Sequence, residues 1–153
     1  MRVSEVMSQG VRVASPDQSI REAAAMMVEL DAGVLPVGDD DRLVGMITDR
    51  DIAVRAVGCG LAPDTPIRDV MTKEVKYCFD DDDIEDVALN MSEIKVRRLP
   101  VVNRQKRLVG IISLGDIALM SGPDPAGEAI CGISEPGGPH AQTDGAGPGP
   151  TAP

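Results

Sequence analysis

Two seven-residue stretches hold the residues best suited to chemistry: Gly45-Met46-Ile47-Thr48-Asp49-Arg50-Asp51 and Gly110-Ile111-Ile112-Ser113-Leu114-Gly115-Asp116. Both run glycine, two apolar residues, a hydroxyl, two variable positions, then aspartate. One reading is a helix-capping box, in which the Thr or Ser caps and the Asp three residues on reciprocates. The other adds a ligand. A helix N-terminus presents unsatisfied N–H groups and positive partial charge, and so attracts phosphate. The hydroxyl can donate to a phosphate oxygen. A carboxylate one turn in can accept from a ribose diol, each charge-assisted bond contributing roughly 1.5–3 kcal/mol. Gly45 and Gly110 would leave room for close backbone approach. The two readings are compatible, since one Asp can cap when empty and turn to ribose when bound.

The elements that must position these residues occur twice. Val6-Met7 lies over Val70-Met71 at an offset of 64, which also carries Asp17 onto Asp81 and Ile20 onto Ile84. Leu35-Pro36-Val37 falls on Leu99-Pro100-Val101. One extra loop residue then raises the offset to 65, matching Leu43-Val44-Gly45 to Leu108-Val109-Gly110 and Asp51 to Asp116. Such a register points to an internal repeat. Each copy predicts a short strand (Val11 to Val13; Val75 to Tyr77), then a helix with one apolar stripe. The stripes are Ile20, Ala23, Ala24, Met27, Leu30 and Ile84, Val87, Ala88, Met91, Ile94. Ser19 with Glu22, and Asp83 with Asp86, mark the helix starts. Two strands follow, Val34 to Val37 and Leu43 to Ile47 in the first copy, with Pro36 suggesting an edge. A last helix carries Ile52, Ala53 and Ala56, or Ile117, Ala118 and Met120.

These patterns divide the chain into repeat one (1–60), a linker (61–66), repeat two (67–121) and a tail (122–153). The tail is rich in Gly, Pro and Ala, ends GAGPGPTAP, and is expected to be disordered apart from a turn around Glu128 to Ile133. The fold class is α+β, two βαββα units packing together because one alone buries too little.

Composition narrows the function. The 153 residues carry a formal net charge of −10, which repels nucleic acid and anionic membranes. One Phe, one Tyr and no Trp leave no stacking platform for single strands. Three scattered cysteines (Cys59, Cys78, Cys131), no CxxC and one His (His140) argue against zinc and a Cys–His nucleophile, and for free thiols in a reducing cytoplasm. No stretch reads as a signal peptide or membrane span. No nucleophile–base pair stands out, so the chain reads as a non-enzyme. The Asp80–Asp83 run reads as a solvated helix start, Asp39–Asp41 as a turn, and Met26, Met27 and Met91 as core. Tyr77 and Phe79 should share a strand face opposite Cys78, and Cys59 shows no feature that lowers its pKa.

The tandem βαββα units, the Val-Met openings, the Leu-Pro-Val strands and the two G-h-h-[ST]-x-x-D junctions together resemble the CBS-domain pair, or Bateman module. The resemblance spans Met1 to Ser121 and is similar to small stand-alone bacterial CBS-pair proteins of signalling and stress. It implies a regulatory module with pseudo-twofold symmetry, binding AMP, ADP, ATP, NAD or S-adenosylmethionine in a cleft between the repeats, and a homodimer formed through its helices. No other cofactor is implied. Carried over, the first site would use Val11, Leu35, Pro36, Thr48, Arg50 and Asp51, and the second Val75, Leu99, Pro100, Ser113 and Asp116. The second lacks an equivalent of Arg50, having Gly115 there. Arg97, Arg98, Lys106 and Arg107 lie near enough in sequence to substitute, or form a solvated basic edge. The first site is therefore expected to be the stronger. The alternatives are an interaction module with vestigial sites, or a nucleic-acid binder, which the acidic charge disfavours.

Overall fold

A computed structural model describes residues 1–136; residues 137–153, His140 and the end of the expected disordered tail among them, lie outside it. In chain order the elements are α1 (Val3–Val6), α2 (Ile20–Leu30), β1 (Val34–Asp39), β2 (Arg42–Thr48) and α3 (Asp49–Asp51). The second half adds β3 (Cys78–Phe79), α4 (Ile84–Ile94), β4 (Arg98–Val102), β5 (Leu108–Ser113), α5 (Leu114–Ser121) and α6 (Pro123–Ser134). The α+β class holds.

The long helix of each repeat starts where its cap residue sits. Ser19 Oγ accepts the Glu22 N–H at 3.1 Å, and the Glu22 carboxylate reaches back to the Ser19 N–H at 3.5 Å. Helix α2 buries Ile20, Ala23, Met26 and Met27, while Ala24 is half-buried. Leu30 points along the same stripe but is exposed, because it is the last helical residue before Asp31 turns left-handed at φ 50°. Helix α4 buries Ile84, Val87, Ala88 and Met91, with Ile94 half-buried. Its cap departs from the expected box: Asp83 accepts from Glu85 N–H at 2.8 Å, so the bond closes one residue early and Asp86 stays exposed.

β1 and β2 form an antiparallel hairpin closed by Asp40-Asp41, both at positive φ (52° and 64°). Two left-handed residues make the turn whose twist matches a hairpin, and Asp tolerates that region better than most residues. This explains the acidic run. Pro36 is accommodated because its outer neighbour Ala14 donates to the Pro36 carbonyl and accepts from Gly38 N–H, both at 2.9 Å. No donor is asked of residue 36.

The expected first strands are much shorter than their alternation suggests. Residues 11–13 form no strand; Ala14 alone bridges, in parallel, to Val37. In the second copy only Cys78–Phe79 is extended in the sheet ordered β3-β4-β5. Alternating residues become a strand only where an edge offers donors and acceptors. Here Ala14 and Cys78 are the buried residues, and Val13 and Tyr77 are exposed.

Packing does not follow the repeat boundaries. Among the described residues, one compact unit comprises Gln9–Tyr77 with Val102–Gly110, and the other Met1–Ser8, Cys78–Val101 and residues 111–136. The Val-Met openings are thereby exchanged. Val3 and Ser4 N–H donate to the carbonyls of Asp82 and Asp80 at 2.9 Å, so α1 docks on the second repeat. Ile67, Val70 and Met71 instead join the core of Ile20, Met27, Leu35, Val37 and Ile47.

Two helices at the repeat ends also differ from expectation. After α3 the chain continues as a π-helical turn, Ile52–Ala56, and a 3₁₀ turn, Val57–Cys59, in place of one regular α-helix. Ala56 is buried and Ala53 exposed. In α5 Ile117 is buried but Met120 is 52% exposed, so it is not a core residue. The tail requires a larger correction. Residues 123–134 form helix α6, with Pro123 at its first turn and Ala126 and Ala129 buried. Its small residues allow what apolar bulk does not supply: Gly132 lies so close to Ser92 that a Cβ there would collide with the serine. Lys95 Nζ donates to the Gly132 carbonyl at 2.9 Å, satisfying the helix end.

Candidate functional site

Each glycine–hydroxyl–aspartate junction is a strand running into a helix, and each forms a reciprocal cap. Asp51 N–H donates to Thr48 Oγ1 and Thr48 N–H donates to Asp51 Oδ2, both at 3.0 Å. In the second copy Asp116 N–H donates to Ser113 Oγ at 3.1 Å, and Ser113 N–H to Asp116 Oδ2 at 2.9 Å. The resemblance of the two ends there. Asp51 is the one buried charged residue among those described, 9% exposed, whereas Asp116 is half-buried. A carboxylate removed from water is costly unless paired. Its second oxygen, Oδ1, faces the Arg55 Nε at 3.7 Å. The guanidinium of Arg55 is in turn held by the carbonyls of Val70 and Met71, each 3.4 Å from Nη1.

Arg55 was not among the residues that the sequence singled out. The signal was its i, i+4 spacing from Asp51. Arg50, which was singled out, is exposed, and its backbone N–H is bonded to Asp49 Oδ1 at 2.8 Å. The β1–β2 register pairs Val34 with Thr48 and Leu35 with Ile47, so the Leu35-Pro36 backbone runs beside the junction. Leu35 and Leu99 are each 1% exposed. Their side chains belong to the cores, and only their backbone is left to meet a ligand. Pro36 and Pro100 are buried, and Val11 and Val75 half-buried outside any strand. Of the candidate substitutes for Arg50 in the second copy, Arg107 is engaged elsewhere. It donates to the Asp40 carbonyl at 2.9 Å and pairs with Asp41 at 3.6 Å.

Gly45 corrects the idea of room for a ligand. A Cβ there would stand 2.6 Å from Met71 Sδ and 2.9 Å from the Thr72 carbonyl oxygen. The space is already taken by residues 71 and 72, whose strand-like bridge exchanges two bonds with Met46 at 2.8 and 3.0 Å. Gly45→Ala should therefore destabilise the protein by about 1–3 kcal/mol in urea denaturation, as overpacking against fixed backbone does.

The thiols behave differently from one another. Cys78 is buried and its pKa is pushed up to about 12, first by burial and then by the nearby Asp82 charge. Cys59 and Cys131 are exposed. A thiol reagent should label those two in the native protein and spare Cys78 until unfolding. Above pH 9 the unfolded chain releases a proton that folded Cys78 keeps, so stability falls as pH rises from 9 toward 12. Between pH 8 and 10 the wild type should lose about 1.4 kcal/mol more than Cys78→Ala. Equal losses would show that the thiol stays hydrated.

Among the described residues no cluster of three or more His, Cys, Asp or Glu could hold a metal ion, and no helix is long and apolar enough to cross a membrane. The family model for the CBS domain matches residues 3–58 and again 67–120. The chain belongs to the CBS-domain family. This CBS pair is 39% identical over 133 residues to the CBS domain-containing protein YhcV of Bacillus subtilis, covering 86% of this chain and 94% of that one. It is 40% identical over 116 residues to hypoxic response protein 1 of Mycobacterium tuberculosis, covering 74% of this chain and 80% of that one. Among solved structures it is similar to the CBS-domain pair of protein MJ0100 in complex with 5′-methylthioadenosine and S-adenosyl-L-methionine. There the TM-score is 0.70 at 31% identity, over 81% of this chain and 98% of the other. It is also similar to the CBS domain protein PAE2072 of Pyrobaculum aerophilum complexed with AMP, with TM-score 0.71 at 26% identity over 79% and 93%.

Proposed function

We propose that this CBS pair is a cytoplasmic regulatory module that binds an adenine nucleotide or another adenosyl compound and does not itself catalyse a reaction. The observation that carries the reading is the buried Asp51 carboxylate, whose Oδ2 closes the cap while Oδ1 accepts no hydrogen bond from the protein among the described contacts. A ribose hydroxyl is the complementary donor, and the Thr48 hydroxyl with the adjoining helix start suits a phosphate. The adenosyl ligands of MJ0100 and PAE2072 support the same class of ligand here. Asp116 and Ser113 form a second, weaker site of the same kind, with Gly115 where the first has Arg50. Binding regulates only as far as the ligand's affinities for two states of the protein differ.

Calorimetric titration with AMP, ADP, ATP, NAD and S-adenosylmethionine, up to millimolar ligand, tests this. Heat that disappears in Asp51→Ala and shrinks in Asp116→Ala supports the assignment. Binding that survives both substitutions removes the site. No heat with any of them favours the interaction-module reading, for which exposed Val28 (81%), Val57 (70%) and Leu119 (87%) offer apolar surface. Membership of the CBS family supports a homodimer, which sedimentation equilibrium would reveal.

A further inference from the structure

We propose that Arg55 is a positioning residue of the first site, holding Asp51 with one carboxylate oxygen open and thereby making that site the stronger of the two. The inference rests on the nucleotide reading above. The Arg55 Nε stands 3.7 Å from Asp51 Oδ1, close enough for attraction but too far for a hydrogen bond to occupy the oxygen. The guanidinium is tethered by the carbonyls of Val70 and Met71, each 3.4 Å from Nη1, while its Nε faces the carboxylate. The arginine supplies countercharge to a buried carboxylate without consuming the acceptor that a ribose hydroxyl would use. Thr48 N–H fixes the other oxygen.

The second copy supplies the comparison. At the offset of 65 that carries Asp51 onto Asp116, Arg55 falls on Met120, which is 52% exposed and has no charge to offer. The same cap exists in both copies; the countercharge exists in one. The π-helical turn Ile52–Ala56 that carries Arg55 is likewise confined to the first copy, and its Ala56 is buried in the core. Arg50 does not replace Arg55 in this role: both side chains are exposed, but among the described residues the ion pair to Asp51 comes from Arg55, while Arg50 bonds through its backbone N–H to Asp49.

The test replaces Arg55 by the residue of the second copy and separates positioning from phosphate binding. Wild type, Arg55→Met and Arg55→Lys are titrated with AMP and with adenosine, and folding is monitored by thermal denaturation. A positioning role predicts that Arg55→Met weakens both ligands alike, by about tenfold, and that lysine restores most of the loss. A purely structural role would lower the melting temperature without rescue of affinity by lysine, and that result overturns the inference. Loss for AMP with adenosine unchanged also overturns it, since Arg55 would then be a phosphate contact. Affinity unchanged in Arg55→Met overturns it while leaving the site itself standing. A wild-type protein that binds neither ligand overturns the nucleotide reading, and this inference falls with it.

Discussion

Ile47→Ala is expected to lower the unfolding free energy by about 3 kcal/mol, within the usual range for truncating a buried isoleucine. Ile47 is fully buried, and its β2 strand is fixed on both sides. The β1–β2 register pairs it with Leu35, and the neighbouring Met46 exchanges two backbone bonds with Thr72. Both neighbours are anchored, so the backbone has little freedom to collapse into the space left by the lost methyl groups. The control is Val54→Ala. Val54 is 52% exposed, and its truncation should change stability by no more than about 0.5 kcal/mol. Urea denaturation monitored by circular dichroism would show a lower midpoint at unchanged slope. A loss under 1 kcal/mol for Ile47→Ala would mean that the core repacks around the gap. Because Ile47 directly precedes Thr48, the variant should also loosen the cap and weaken any ligand held there.

Why some features were readable and others hidden follows from what each depends on. The apolar stripes of α2 and α4 and the caps at Thr48 and Ser113 are local, and spacing alone reveals them. The exchange of the Val-Met openings is not local. An offset of 64 shows that Val6 and Val70 are equivalent, but not that Val70 packs beside Ile20 while Val3 bonds to the Asp82 backbone. Strand alternation at 11–13 failed for the same reason, since a strand exists only where a partner edge does. Helix α6 was missed because counting bulky apolar residues undervalues Ala126, Ala129 and Gly132, which stabilise by close approach. Arg55 was hidden because the two copies do not share it: its counterpart is Met120. The Gly45 misreading came from treating absent side chain as empty space.

Asp51 is the residue at which stability and binding can be pulled apart, because its two oxygens have different tasks. Asp51→Asn keeps an oxygen able to accept the Thr48 N–H, so the cap should survive and stability should change by less than about 1 kcal/mol. It removes the charge that a ribose hydroxyl would meet and that Arg55 balances at 3.7 Å. Affinity for AMP should fall about a hundredfold, or about 2.7 kcal/mol, since bonds to charged acceptors are roughly twice as strong as neutral ones and an ion pair is lost as well. Asp51→Ala should bind as weakly or more so. It also loses the cap, about 1 kcal/mol, offset in part because no charge is then buried. A ligand lacking one hydroxyl completes the cycle. If Asp51 reads the diol, wild type should prefer AMP over 2′-deoxy-AMP, and Asp51→Asn should bind the two almost equally. A preference that persists in Asp51→Asn would place the diol elsewhere, whatever the absolute affinities. In the second copy the same substitution at Asp116 should cost less, because that carboxylate is half-buried and no arginine stands at position 120 to hold it.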